Sequence, residues 1–222
     1  HFAGVADIKE ANENPLKAVE DNILGTANIL NACIVNSIER IFFASSIYVL
    51  SNQGGFYRTS KNACELYIQE YKKRFNLNYT ILRFGSIFGE GANVRNSISK
   101  IITYALRYNR IKYSGTKNAL RKFLHVQDAS SATIKAISKK YSNKALLITG
   151  KRNFKIKNLL RYLKKKMKIK KNIEFGNKTD MGHYDKSPFS YKPIRNETYI
   201  LKNSKYFFNR VDNLIENLKN EK

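Results

Sequence analysis

Tyr57 and Lys61 stand four residues apart in FYRTSKNACELY (56–67), at the head of an amphipathic pattern. On a helix, residues at that spacing leave the same face. A phenol ionises near pH ~10 and is a poor base at neutral pH, but a neighbouring ammonium favours the phenolate. Ser46 closes the apolar run RIFFASS (40–46) and is placed to hydrogen-bond the hydroxyl that such a base would deprotonate. The three side chains describe a proton-abstracting site for an alcohol. The same YxxxK spacing also describes a solvated Tyr and Lys on a helix face, and lysine-rich sequences produce it by chance. The elements around it decide between the two.

Residues 15–35 open with Pro15 and carry Leu16, Val19, Ile23, Ala27 and Leu30 at three- and four-residue steps, which predicts a helix with one buried stripe. RIFFASS follows as an apolar run of the kind that forms a strand buried on both faces. The pattern then predicts a helix over 57–74, a strand over 79–84, a helix over 94–107, and strands at RIKYSG (110–115) and KFLHV (122–126). Beyond Asp128 it predicts a helix (129–141), a strand at ALLITG (145–150) and a helix over 154–167. Residues 175–206, with Pro188 and Pro193, read as irregular before a last helix near 208–219.

Alternating helices and strands, with connections too long for hairpins, predict an α/β fold: a Rossmann-like parallel sheet with flanking helices, joined by right-handed crossovers. Ligands of such sheets bind beyond the carboxyl ends of the strands. SS (45–46), RFGS (83–86) and HFAG (1–4) all fall where strands end, so one crevice is expected to gather them.

At 222 residues, 42% hydrophobic and 12% aromatic, the chain is long and apolar enough for a folded core. Cys33 and Cys64 sit in apolar helical patterns without metal-ligand spacing, so they read as small buried hydrophobes of a reducing compartment and no metal site is expected. No apolar run approaches the ~20 residues that cross a bilayer and no signal peptide is seen, so the expected location is cytoplasmic, without a membrane partner.

The formal net charge of +24 raises nucleic acid as a partner. Its distribution argues for something plainer. Residues 151–171 hold eleven Lys/Arg and no acid. There Phe154, Ile156, Leu159, Leu160, Leu163 and Met167 form an inward stripe with the lysines pointing out, which is a solvated helix face. Nucleic acid is therefore not the expected partner, and polyanion binding through this block stands as a third reading.

Six segments in order, HFAG (1–4), NILGTANIL (22–30), FFASS (42–46), YRTSK (57–61), TILRFGSIFG (80–89) and RKFLHVQD (121–128), resemble the extended short-chain dehydrogenase/reductase family, the NAD-dependent nucleotide-sugar epimerases and dehydratases. The resemblance spans the chain, more loosely after Gly150. It implies Tyr57 as general base, Lys61 as its electrostatic partner and ribose contact, and Ser46 as the hydroxyl-positioning residue. It implies NAD as cofactor, touched by Phe2, Ala3, Gly4, Tyr57, Lys61 and Gly85. It implies a nucleotide-sugar substrate held by Ser46, Ser86 and Arg121, the last on the diphosphate, where a guanidinium suits phosphate oxygens. Ser86 stands where the family usually has asparagine. His125 reads as structural, His183 is unassigned, and GSIFGEG (85–91) reads as a substrate-side loop because it lacks the GxGxxG spacing.

The family's opening strand, GxxGxxG turn and helix have no counterpart in the sequence, so the resemblance implies an N-terminally truncated chain, a fragment or a shortened reading frame. Residues 1–90 would be the carboxyl-terminal part of the NAD-binding domain. Residues 91–222 would be mainly a small α/β substrate-binding region, with about 119–140 returning to the sheet. Ile47 follows Ser46 where sugar dehydratases carry an acid, which favours epimerisation, with surface-polysaccharide precursors as the expected substrates and a homodimer as the expected assembly. The other reading is a catalytically inactive fragment or pseudoenzyme that at most binds a nucleotide diphosphate or other polyanion.

Overall fold

A computed structural model describes residues 1–92, 97–117, 119–150, 153–176 and 206–220. His183, Pro188, Pro193, Lys151 and Arg152 lie outside the described residues. The chain divides into two compact units: the first takes residues 1–85 and 132–148, the second 86–131, 149–176 and 206–220.

The first unit is built on three parallel strands in the order β1 (Arg40–Ser46), β2 (Asn78–Phe84) and β7 (Lys144–Ile148). The register sets Ser45 opposite Arg83 and Ser46 opposite Phe84, so the carboxyl ends of β1 and β2 finish side by side. His1 adds one rung on the other edge of β1, its amino group donating to Phe42 O at 2.7 Å and its carbonyl accepting from Ala44 N at 3.0 Å. The expected parallel sheet is present.

Helix α4 (Gly55–Phe75) packs along this sheet. Its buried residues, Tyr57, Ser60, Lys61, Cys64, Glu65 and Ile68, recur at three- and four-residue steps, the signature of one helical face. Ile68 and Cys64 join Leu30, Ile41, Phe43, Leu77, Ile81 and Ala145 in the apolar core, while the turn nearer the amino end is polar. Gly54 starts the helix with φ +105°, and a side chain there would meet Arg58 Cβ at 2.9 Å and Tyr48 Cδ1 at 3.0 Å. Asn76 ends it in the left-handed region, with Lys72, Lys73 and Arg74 in the last turn, where cations complement the helix dipole.

The helix expected over 15–35 is interrupted. Pro15–Ala18 (α2) and Gly25–Val35 (α3) flank a π-helical turn at Val19–Leu24. The stripe changes with it: Ala18, Asn22, Thr26 and Leu30 are buried, whereas Leu16 is 76% exposed and Val19 48% exposed. A π turn carries about one more residue than an α turn, so it rotates the side chains before it off the α-helical stripe. Asn22 Nδ2 then donates to Val5 O at 3.1 Å and to Ser60 Oγ at 2.8 Å, and Cys64 Sγ donates to Asn22 O at 3.2 Å, fixing the π turn against α4. Cys64 is buried as expected; Cys33 is only half-buried.

The second unit holds β3 (Ser86–Phe88) parallel to β6 (Phe123–His125), β4 (Lys112–Tyr113) parallel to β9 (Glu174–Phe175), and β5 (Leu120–Arg121) antiparallel to β8 (Phe154–Lys155). The loop expected over 85–91 is thus corrected: its Ser86–Phe88 pair with β6 as a strand, because Phe88 faces a core that the short motif does not announce. Helices α5 (Ser97–Tyr108), α7 (Ile156–Lys166) and α8 (Phe207–Asn220) close over this core, while α6 (Val126–Lys135) crosses the division between units. Phe207 stacks on Phe154 at 4.2 Å and meets Phe88 edge-on at 5.2 Å. The inward stripe of α7 is as expected, with Ile156, Leu159, Leu160 and Leu163 buried.

Candidate functional site

Ser46 ends β1 in an extended conformation and continues into a short 3-10 turn, Ile47–Leu50, whose Tyr48 N–H donates to Ser46 Oγ at 3.3 Å. Ten residues later the chain returns as α4, which brings Tyr57 back to the same strand end. The Ser46 side chain lies close enough to the Tyr57 phenol to lower its pKa, and Tyr48 packs edge-on against the Tyr57 ring with centroids 6.3 Å apart. One turn further, Lys61 is 5% exposed; its Nζ donates to Ala44 O at 3.1 Å and lies 4.9 Å from the centre of the Phe43 ring. The structure therefore brings Ser46, Tyr57 and Lys61 together at the carboxyl end of β1.

The electrostatics run opposite to the sequence expectation of a phenol made acidic by Lys61. Tyr57 is 9% exposed, and burial pushes its phenol above the ordinary tyrosine range; the nearby Ser46 side chain offsets part of that shift. Burial likewise pushes the Lys61 ammonium below the ordinary lysine range, with Cys64 opposing it. The ammonium is engaged by the Ala44 carbonyl and the Phe43 ring. A low-dielectric site disfavours both charged forms, and burial is the largest cause of each shift.

The other expected residues divide between the units. Phe2, Ala3 and Gly4 are exposed just after His1, whose backbone pairs with β1. Gly4 has φ +128°, and a side chain there would lie 2.3 Å from Asn22 Oδ1. Gly85 directly follows β2 and donates its N–H to Ile148 O at 2.9 Å. Ser86 and Arg121 belong to the second unit. There the Ser86 N–H donates to Lys122 O at 3.3 Å, and Arg121, buried, donates Nη1 to Leu120 O at 2.9 Å. His125 is buried in the same unit, against the Arg210 guanidinium and with Nε2 3.3 Å from Glu90 Oε2. Burial and the Arg210 charge push its imidazole below the ordinary range. Among the described residues no cluster of His, Cys, Asp and Glu could hold a metal ion, and no helix is long and apolar enough to cross a membrane.

Sequence reasoning missed a polar group beneath the trio. Glu65, eight residues after Tyr57, is buried and accepts from Ser45 Oγ at 2.5 Å, from Arg83 Nε at 3.0 Å and from Arg83 Nη2 at 2.5 Å. The signal was available: an acid on the inward face of an amphipathic helix and an arginine inside the apolar strand YTILRF are each out of pattern, and each accounts for the other.

Comparison with known proteins gives this geometry relatives. The model of a family described as the NAD dependent epimerase/dehydratase family matches residues 1–156. A putative UDP-glucose 4-epimerase of Methanocaldococcus jannaschii is 28% identical over 155 residues, covering 62% of this chain and 51% of the relative. A UDP-glucuronate 4-epimerase of Thermodesulfobacterium geofontis is 23% identical over 150 residues, covering 62% and 46%. The chain spans about half the length of these curated relatives. Among solved structures, a UDP-glucose 4-epimerase of Thermotoga maritima superposes with TM-score 0.79 at 17% identity, covering 99% of this chain and 77% of that one. A UDP-glucuronic acid 4-epimerase of Bacillus cereus, in complex with UDP-glucuronic acid and NAD, gives 0.80 at 17% identity, covering 99% and 74%. These likenesses show the Rossmann-type fold.

Proposed function

The chain belongs to the NAD dependent epimerase/dehydratase family, and on that footing we propose that it works as part of an NAD-dependent epimerase acting on a nucleotide sugar. The single observation that carries the reading is the convergence of Ser46, of Tyr57 packed on the Tyr48 whose N–H Ser46 caps, and of Lys61 bonded to Ala44 O one turn behind, at the carboxyl end of a parallel strand. The substrates in the names of the relatives, UDP-glucose and UDP-glucuronic acid, suggest a UDP-hexose. A precursor of surface polysaccharide is the substrate class we expect, and a homodimer the assembly.

The residues present fit the cofactor. Phe2, Ala3 and Gly4 leave exposed backbone beside β1, where a dinucleotide needs close approach, and Gly4 cannot carry a side chain against Asn22. Lys61 has three N–H donors, of which the Ala44 carbonyl takes one, leaving reach toward a ribose hydroxyl. When bound, NAD supplies the hydride acceptor and donor for the sugar carbon, and its positive ring favours the phenolate.

In this reading Ser46 holds the reacting sugar hydroxyl against Tyr57 Oη, and Tyr57 takes its proton and later returns it. The burial that keeps the Tyr57 phenol protonated at rest makes its ionisation depend on charges brought in with the ligands. Arg121 is proposed as the diphosphate contact, Ser86 as a further substrate contact and Gly85 as a cofactor contact.

The test is epimerisation of UDP-glucose and UDP-glucuronic acid with NAD, in the natural reading frame that contains this sequence. Tyr57→Phe is expected to lower kcat about 10²- to 10⁴-fold, the usual worth of a positioned base. Equal rates for the two proteins would overturn the assignment of Tyr57.

A further inference from the structure

Three side chains at successive turns of α4 each face β1: Tyr57 lies beside Ser46, Lys61 is bonded to Ala44 O, and Glu65 to Ser45 Oγ. The first two are accounted for by the reaction proposed above. Glu65 is not. It is 2% exposed, and burying a carboxylate is costly unless it is paired and hydrogen-bonded. Here it is both. Arg83, its partner, comes from β2, where strand register sets it directly opposite Ser45. One carboxylate thus ties together the helix that carries Tyr57 and the two strands whose ends lie beside it.

A pair of this kind is weak evidence for stability, since well-packed apolar residues usually serve as well; its best-attested use is to fix register. The geometry says which register. Ser45 is the residue before Ser46, and its hydroxyl is held at 2.5 Å by Glu65 Oε1, so the carboxylate sets how β1 presents its last residue to the helix. An apolar contact would tolerate sliding and rotation here; a donor, a bidentate guanidinium and one carboxylate do not. We propose that Glu65, held by Arg83 and acting through Ser45, is a positioning residue that sets how the end of β1 presents Ser46 to Tyr57. The inference rests on the reading of Tyr57 as the base.

The test reads Tyr57 without turnover. The 222-residue chain is labelled with 3-fluorotyrosine, whose phenol ionises in a milder alkaline range than tyrosine, and followed by fluorine NMR, with Tyr57→Phe identifying the line. Ser45→Ala removes one hydroxyl, and Glu65→Gln with Arg83→Gln removes both charges together. Each is expected to move the Tyr57 line and raise its titration midpoint, because the influence of Ser46 that lowers it is weakened. Ser45→Thr is expected to restore both.

An unmoved line and midpoint in Ser45→Ala and in the double variant, with native circular dichroism, overturns the proposal. Loss of native circular dichroism in Ser45→Ala also overturns it, because the hydroxyl would then be holding the fold and not orienting the pair. Epimerisation retained by Tyr57→Phe defeats the base assignment and leaves the fluorine result standing, so the two fail separately.

Discussion

The two units are held together by different means. Beside the candidate site, the first unit buries Asn22, Ser45, Ser46, Ser60, Lys61 and Glu65, nearly all in named hydrogen bonds. The second unit is closed by rings and aliphatics: Phe123 and Phe154 stack on Phe207 and Phe88 meets it edge-on, with Leu159, Leu160 and Leu163 from α7 against Val211 and Leu214 from α8. Apolar packing is non-directional and rewards area, whereas a hydrogen bond to a charge rewards one geometry. The polar unit is therefore suited to hold reacting atoms, and the apolar one to stay closed at low cost.

Breaking the charged pair in the first unit should produce the largest loss of stability. Arg83→Met leaves Glu65 buried without its cation and is expected to cost about 3–5 kcal/mol, while adding Glu65→Leu to it should recover most of that. Urea unfolding of the single and double variants checks this; equal losses would mean that the pair is packing and not charge. In the second unit, Leu160→Ala removes a side chain with no exposure and is expected to cost about 3 kcal/mol, with no recovery by any charge-neutral partner change.

A smaller effect sharpens the contrast. Tyr162 Oη donates to Asp212 Oδ1 at 2.7 Å, and burial first, then that hydrogen bond and the Asp212 charge, push its phenol up to about 12. Tyr57 is raised as well, by burial. A group whose pKa is raised on folding gives stability that is complete below its unfolded value, ~10, and is lost as pH climbs through the folded value. Urea stability should thus decline above pH ~10, and Tyr162→Phe should flatten the decline while costing about 1 kcal/mol at pH 7. An unchanged slope in Tyr162→Phe would remove Asp212 from the account. Least of all, Lys219→Ala breaks an exposed pair with Glu216 and should change stability by under about 0.5 kcal/mol.

Much of this was legible in the sequence. The apolar run Arg40–Ser46 is a strand with the predicted limits, and the face of α4 that carries Tyr57, Lys61 and Ile68 is the one its periodicity gives. What failed has physical causes. The π turn at Val19–Leu24 cannot be read from apolar spacing, because the residues it turns inward, Asn22 and Thr26, are polar. The three-residue strand Ser86–Phe88 is too short to show a period. Glu65 and Arg83 are each out of pattern locally, but they are eighteen positions apart and meet only where α4 packs on β1 and β2, so no local window contains the pair. The direction of the Tyr57 shift failed for a further reason: sequence spacing places an ammonium near a phenol, but burial depth decides which influence dominates.

The wide turn at Val19–Leu24 also bears on how this segment tolerates insertion and deletion. Losing a single codon there would let α2 and α3 anneal into one regular spiral, and each residue step of that spiral is about 100°. Because the wide turn already holds about one surplus residue, everything upstream would keep nearly its present direction relative to Leu30, and the local contacts of the turn, Asn22 to Ser60 and Val5, are what the loss would disturb. The turn is therefore the place along this helix where a one-residue change in length is most easily absorbed, whereas the buried Asn22 and Thr26 hold it to particular side chains.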